Sequence, residues 1–115
     1  MKESDIVIVR MPQADGLTKN RPAVLLREMP PFRDMLGCGI STQLHQEVNN
    51  FDEIISPNDP DFTESSLMGK SLIRLGFLSA IPQSQIVGAI GSISIERHKR
   101  LLENLIKHLT FRFGR

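Results

Sequence analysis

The sequence predicts a mainly β domain: a small closed barrel of about five to seven strands with one α-helix packed on it near the C-terminal end. Three observations lead there. Short apolar runs, several of them rich in β-branched residues, recur between clusters of Pro, Gly, Asn and Asp. Gly76 interrupts the longest of these stretches, where a bulge or bend suits a strand curving round a small barrel. Helical spacing becomes convincing only after Ser94.

Residues 5–9 are short, β-branched and apolar on both faces, as a central strand requires. Residues 11–20 hold Pro12, Asp15-Gly16 and Asn20, so a hairpin with a long tip is expected before the run 23–26. Pro30 and Pro31 cannot donate to a ladder, and an irregular connection is expected at 29–34 before a third strand at 35–42. Residues 53–55 form a short strand candidate, ended by a surface loop at 56–61. Extended segments follow at 71–75, 77–81 and 86–90. Ser94 caps a helix predicted over 95–109, with Leu101, Leu102, Leu105, Ile106 and Leu109 on its apolar stripe and Arg97, Arg100, Lys107 and His108 mostly off it.

The 115 residues fit a single domain, 1–115, large enough for a core without staples. No apolar run is long enough for a membrane span, and the start of the chain lacks the order of a secretory signal, so a cytoplasmic location with no membrane partner is expected. The single cysteine, Cys38, cannot form an intrachain disulfide or a cysteine metal site, and packing is its expected role. Net charge is only +1, yet residues 44–66 hold six acidic residues and no Lys or Arg, which leaves the cations on the flanks. A basic flank is compatible with nucleic acid, although a solvated surface of mixed charge is the commoner outcome for an ordinary domain.

The most informative motif is Arg21-Pro22, which opens the run 23–26, followed by Ile40-Ser41-Thr42-Gln43. A permanent cation with a planar fork of donors and a hydroxyl at equivalent ends of neighbouring strands make a candidate phosphate site. The plainer alternative is a surface arginine paired with Asp15 or Glu28. Ser41 alone reads equally as a strand hydroxyl satisfied by backbone, and Thr42 competes for its role. His98 and His108 stand ten residues apart on the predicted helix, nearly three turns, too far to share a metal. His45 reads as a solvated loop histidine.

In the order and spacing of the stretch at 5–9, of Asn20-Arg21-Pro22-Ala23-Val24-Leu25-Leu26, of Ile40-Ser41-Thr42-Gln43, and of Lys70-Ser71-Leu72-Ile73-Arg74-Leu75 through Ile90-Gly91-Ser92-Ile93-Ser94 into the helix, the chain resembles the bacterial toxins of the PemK/MazF family. These are growth inhibitors from type II toxin-antitoxin pairs. The resemblance implies an SH3-like barrel with a C-terminal helix, a homodimer, and an endoribonuclease that cleaves single-stranded RNA at short sequences with no metal or other cofactor. It also implies silencing by a cognate antitoxin. By the same resemblance Arg21 and Ser41 are the catalytic pair, and Arg10, Lys19, Thr42 and Gln43 are RNA-binding candidates. An inactive RNA-binding barrel, or a gyrase poison of the same fold, is the alternative.

Two features depart from that family. Residues 10–19 lack the usual Phe-Pro or Asp-Pro opening and Gly-Ser-rich tip. Gly76-Phe77 stand where relatives tend to carry polar residues near the RNA groove. The acidic stretch 44–66 would repel a phosphate backbone if it lined that groove, so it is expected to point elsewhere or to mimic an acidic partner. The scarcity of aromatic residues, with no Trp or Tyr and six Phe, argues against a base-stacking platform.

Overall fold

In the computed structural model, which describes residues 1–12 and 14–111, the first β-branched run forms β1 (Asp5–Pro12) and returns as β2 (Thr18–Met29). The two pair antiparallel from Ile6↔Val24 out to Pro12↔Thr18. The hairpin tip is therefore shorter than expected. Backbone pairing continues beyond the last apolar side chain, so Lys19 and Asn20 occupy ladder positions opposite Met11 and Arg10. Gln13, within that tip, lies outside the described residues. The second connection is shorter too: β2 and β3 (Asp34–Ser41) pair as far as Met29↔Asp34, which confines the cis Pro30-Pro31 bond to a tight turn.

β4 (Glu53–Ile55), β5 (Ser71–Ile81) and β6 (Ile86–Ser92) complete one antiparallel sheet of six strands in the order β4-β5-β3-β2-β1-β6. With the C-terminal helix packed on it, the chain has the predicted mainly β, barrel-like fold. Curvature comes from interrupted registers. The largest interruption lies at Gly76, where a bend was expected: Gly39 pairs with Arg74, but the adjacent Cys38 pairs with Leu78, leaving Leu75, Gly76 and Phe77 in a bulge.

The outer strands β4 and β6 do not pair with each other, and side chains bridge the gap instead. A one-turn helix, α1 (Phe62–Ser65), which the sequence reading did not anticipate, packs beside β6. Gly91 approaches it so closely that any side chain there would overlap the backbone of Glu64 and Ser65. The loop before it was expected to be surface, yet Asp61 is buried and binds the amide of Ser94 at 3.0 Å.

Both faces of the central strands are covered, which is why their sequence reads as continuous apolar runs rather than as alternation. On β2, Val24 and Leu26 join a core cluster with Ile73 and Leu101, while Ala23 and Leu25 join a second with Val7, Val9 and Met35. Burying each such Leu or Ile fully is worth about 1.5–3 kcal/mol.

The helix α2 (Ile95–Thr110) begins where predicted, with the Ser94 hydroxyl accepting from the Arg97 amide at 3.1 Å. Its docked face differs. Leu101 and Leu105 are buried and Leu102 half-buried, but Ile106 and Leu109 are exposed, and Arg97 is only 5% exposed. A guanidinium takes a core-facing position because carboxylates meet it there: Nε reaches Asp61 at 2.9 Å, Nη1 Glu53 at 2.8 Å and Nη2 Asp59 at 2.9 Å. The adjacent His98 donates from Nε2 to the Leu26 carbonyl at 2.8 Å, a direction fixed because a carbonyl only accepts. The docked face thus keeps Leu101, Leu102 and Leu105 of the predicted stripe, loses Ile106 and Leu109, and extends toward the helix start through Arg97 and His98.

Candidate functional site

The β2–β3 ladder pairs Leu25 with Gly37, Val24 with Cys38 and Ala23 with Gly39, and Arg21 and Ser41 lie two residues beyond that last pair on their strands. Alternation puts both on the face of Ala23 and Gly39. Two adjoining hollows, about 270 and 330 Å³, open on that face, and Arg21, Pro22, Ile40 and Ser41 line both. Ser41 is half-buried at the end of β3, and Arg21 is exposed.

Two further cations enter the same surface. Arg74, opposite Gly39, lines the first hollow with Met11 and Phe77. Lys70 lines the second with Thr42 and Gln43. Sequence reasoning missed both as site residues, although Lys70 and Arg74 sit within a stretch that carried the family resemblance. The missing signal was the register that sets Arg74 opposite Gly39.

Among the described residues, neither Asp nor Glu lines either hollow. Arg21, Lys70 and Arg74 have no carboxylate partner there, while Glu28 pairs with Arg33 and Asp15 accepts from the Leu17 amide. The plainer reading of Arg21 as a member of a surface ion pair is thus not realised. Four of the six acidic residues of 44–66 are engaged within the fold: Asp52 accepts from the Val48 and Leu75 amides at 2.9 Å each, and Glu53, Asp59 and Asp61 hold Arg97, while Glu47 and Glu64 are exposed and line neither hollow. Unpaired cations in a concave surface concentrate anions near it.

The Ser41 hydroxyl accepts from the Gln43 amide at 3.0 Å. That bond fixes the oxygen and leaves its hydrogen free to donate. Thr42, the first residue beyond β3, lines only the second hollow. Gln43 lines that hollow as well.

Arg10 and Lys19 line neither hollow. Arg10 pairs with Asn20, so alternation turns it to the face opposite Arg21. Lys19 pairs with Met11 on the same face as Arg21, but farther out along the hairpin. The histidines stand apart: His45 is exposed in a single turn at Leu44–Gln46, His98 holds the Leu26 carbonyl, and His108 rests its ring 4.9 Å from that of Phe51. Cys38 is 1% exposed, and burial, with Asp52 nearby, pushes its thiol up to about 12.

The arrangement can bind a phosphodiester and offset charge growing on it, with the Ser41 O–H as an added donor. No family model matches the chain, and no curated protein matches its sequence.

Proposed function

We propose that the chain is the toxin of a type II toxin-antitoxin pair of the PemK/MazF kind, a metal-independent endoribonuclease acting on single-stranded RNA. The observation that carries the proposal is that Arg21 and Ser41 line the same two hollows, in a surface with added cations and free of carboxylates among the described residues.

In the reaction the 2′-oxygen of one nucleotide bonds to the adjacent phosphorus while the bond to the 5′-oxygen breaks. The products are a 2′,3′-cyclic phosphate and a 5′-hydroxyl. Negative charge grows on the nonbridging oxygens in between. Arg21 faces that charge, Arg74 adds to the field, and Ser41 Oγ–H donates to a nonbridging oxygen. A guanidinium, with an ordinary pKa above about 12, is a poor base, so the role of Arg21 is charge stabilisation and assistance to the leaving oxygen. The proton lost by the 2′-hydroxyl goes to solvent water, and solvent water supplies the proton that the departing 5′-oxygen takes up. The proposal includes a homodimer, a cognate antitoxin and a cytoplasmic location, where messenger RNA is found.

One observation favours the rival reading, a barrel that binds RNA or a protein such as gyrase without cleaving anything. No imidazole or carboxylate lines the hollows among the described residues, so the site lacks an ordinary general base. Incubating purified protein with a long RNA in EDTA separates the two. Fragments ending in cyclic phosphate support the nuclease, whereas retained RNA without product, or growth arrest insensitive to Arg21→Ala, supports the binder.

A further inference from the structure

An apolar cleft of about 200 Å³ adjoins the Arg21–Ser41 hollows and belongs to no part of the chemistry above. Phe77 and Met11 line both the cleft and the first hollow, so the two spaces share a wall. The cleft has Ala23 and Gly39 among its lining residues, with Gln85 and Ser79 as its polar side chains.

Phe77 is one of several exposed large apolar side chains, and it is the one that lines both the cleft and the first hollow as an aromatic ring. It ends the β5 bulge, in which Leu75 turns into the core and Phe77 stays 45% exposed. Its ring lies directly over Gly39, where any side chain would overlap it. The Arg74 guanidinium carbon stands 5.8 Å from the ring centroid, within range of a cation–π contact. A bulge, a glycine and an arginine therefore hold one exposed aromatic face at the junction of an apolar cleft and a cationic hollow.

We infer that Phe77 is a stacking platform for one unpaired nucleobase, held in the cleft beside the phosphate that Arg21 and Ser41 engage. The occupant follows from complementarity. A nucleotide joins a flat ring to an anion, and here an apolar slot meets a surface of unpaired cations. The cleft falls below the roughly 300–1,000 Å³ of drug-sized sites, which suits one ring system. The Gln85 carboxamide and Ser79 hydroxyl are placed to bond the base edge, which makes them candidates for sequence preference. The inference rests on the reading of the hollows as an RNA site, but not on cleavage.

The test uses the full chain and two labelled single-stranded DNA 12-mers, which lack the 2′-hydroxyl: one of mixed sequence and one fully abasic. Affinities are read by fluorescence anisotropy at fixed salt. Wild-type protein should hold the base-bearing strand at least about 5-fold tighter than the abasic one, the lower end of what one stacked base contributes. Phe77→Ala should remove that preference and Phe77→Trp should keep it. Arg21→Ala should weaken both strands alike and lower the salt slope by about 0.7.

Equal wild-type affinity for the two strands overturns the platform while leaving the phosphate site intact, and needs no variant to fold. Unchanged binding by folded Phe77→Ala does the same. Failure of both strands to bind overturns the platform together with the nucleic-acid reading. If Phe77→Ala then also dissociates an oligomer, the cleft belongs to a second copy of the chain.

Discussion

Arg97 of α2 and Asp61 of the loop before α1 meet twice, Nε to Oδ2 at 2.9 Å and Nη2 to Oδ1 at 3.2 Å, with both side chains only 6% exposed. Asp61 Oδ2 also accepts from the Ser94 amide at the helix start. One carboxylate thus ties the helix to the segment that bridges the two edges of the sheet. Removing one partner of such a pair leaves the other buried and uncompensated, which costs about 3–5 kcal/mol. Arg97→Ala should lower the unfolding free energy from urea titration by that amount, while Arg100→Ala, half exposed on the same Glu53, should cost less than about 1 kcal/mol. Equal losses would show that Arg97 is not the anchor described.

Acid should act through the same group. Burial alone would push the Asp61 carboxyl up, but Arg97 and the Ser94 amide hold it below the ordinary carboxylate range. A depressed folded-state pKa gives stability that is complete above the unfolded value of about 3.9 and is lost as pH falls through the folded value. Unfolding midpoints should therefore drop below about pH 4, and Asp61→Asn should flatten that drop at the cost of lower stability at neutral pH. A variant whose stability falls as steeply with acid as wild type would remove Asp61 from this account.

Cys38 should be chemically silent in the folded chain. Its thiol lies in the core with its pKa raised to about 12, so thiolate is scarce at neutral pH and a reagent has no approach. Labelling by a disulfide reagent at pH 8, a typical assay value, should be negligible until urea is added, and Cys38→Val should keep the fold. Fast labelling of native protein would mean that the sheet opens around β3.

Much of this architecture could be read from residues alone, and the failures share a cause. β1, β4 and the start of α2 follow from β-branched runs and a capping serine, which are local signals. Strand ends did not, because ladders at Lys19 and Met29 continue on backbone bonds to which side-chain polarity is indifferent. Arg97 was assigned to the solvated face because a charged residue on a helix usually lies there, and its three carboxylate partners are 36 to 44 residues away in sequence. The candidate site divides the same way. Arg21 and Ser41 stood out as residue types at strand ends, whereas Arg74 enters it only through register, and the position of Phe77 was suggested by the family resemblance alone.

Ser41 and Thr42, adjacent in sequence, should separate clearly in activity. Ser41 lines both hollows and keeps a free hydroxyl hydrogen, whereas Thr42 reaches only the second. Ser41→Ala should slow RNA cleavage by about a hundred-fold to a thousand-fold, as loss of one oriented donor does elsewhere, and Thr42→Ala should cost far less. The reverse order in single-turnover rates would transfer the role to Thr42.

The central claim concerns Arg21. The most direct measurement is cleavage of a long single-stranded RNA in EDTA by wild-type protein and by Arg21→Ala, with the product ends analysed chemically. We predict discrete fragments carrying 2′,3′-cyclic phosphate from wild type, and a loss of at least about a hundred-fold in the folded variant. Intact RNA with folded wild-type protein, or equal cleavage by both proteins, would contradict it.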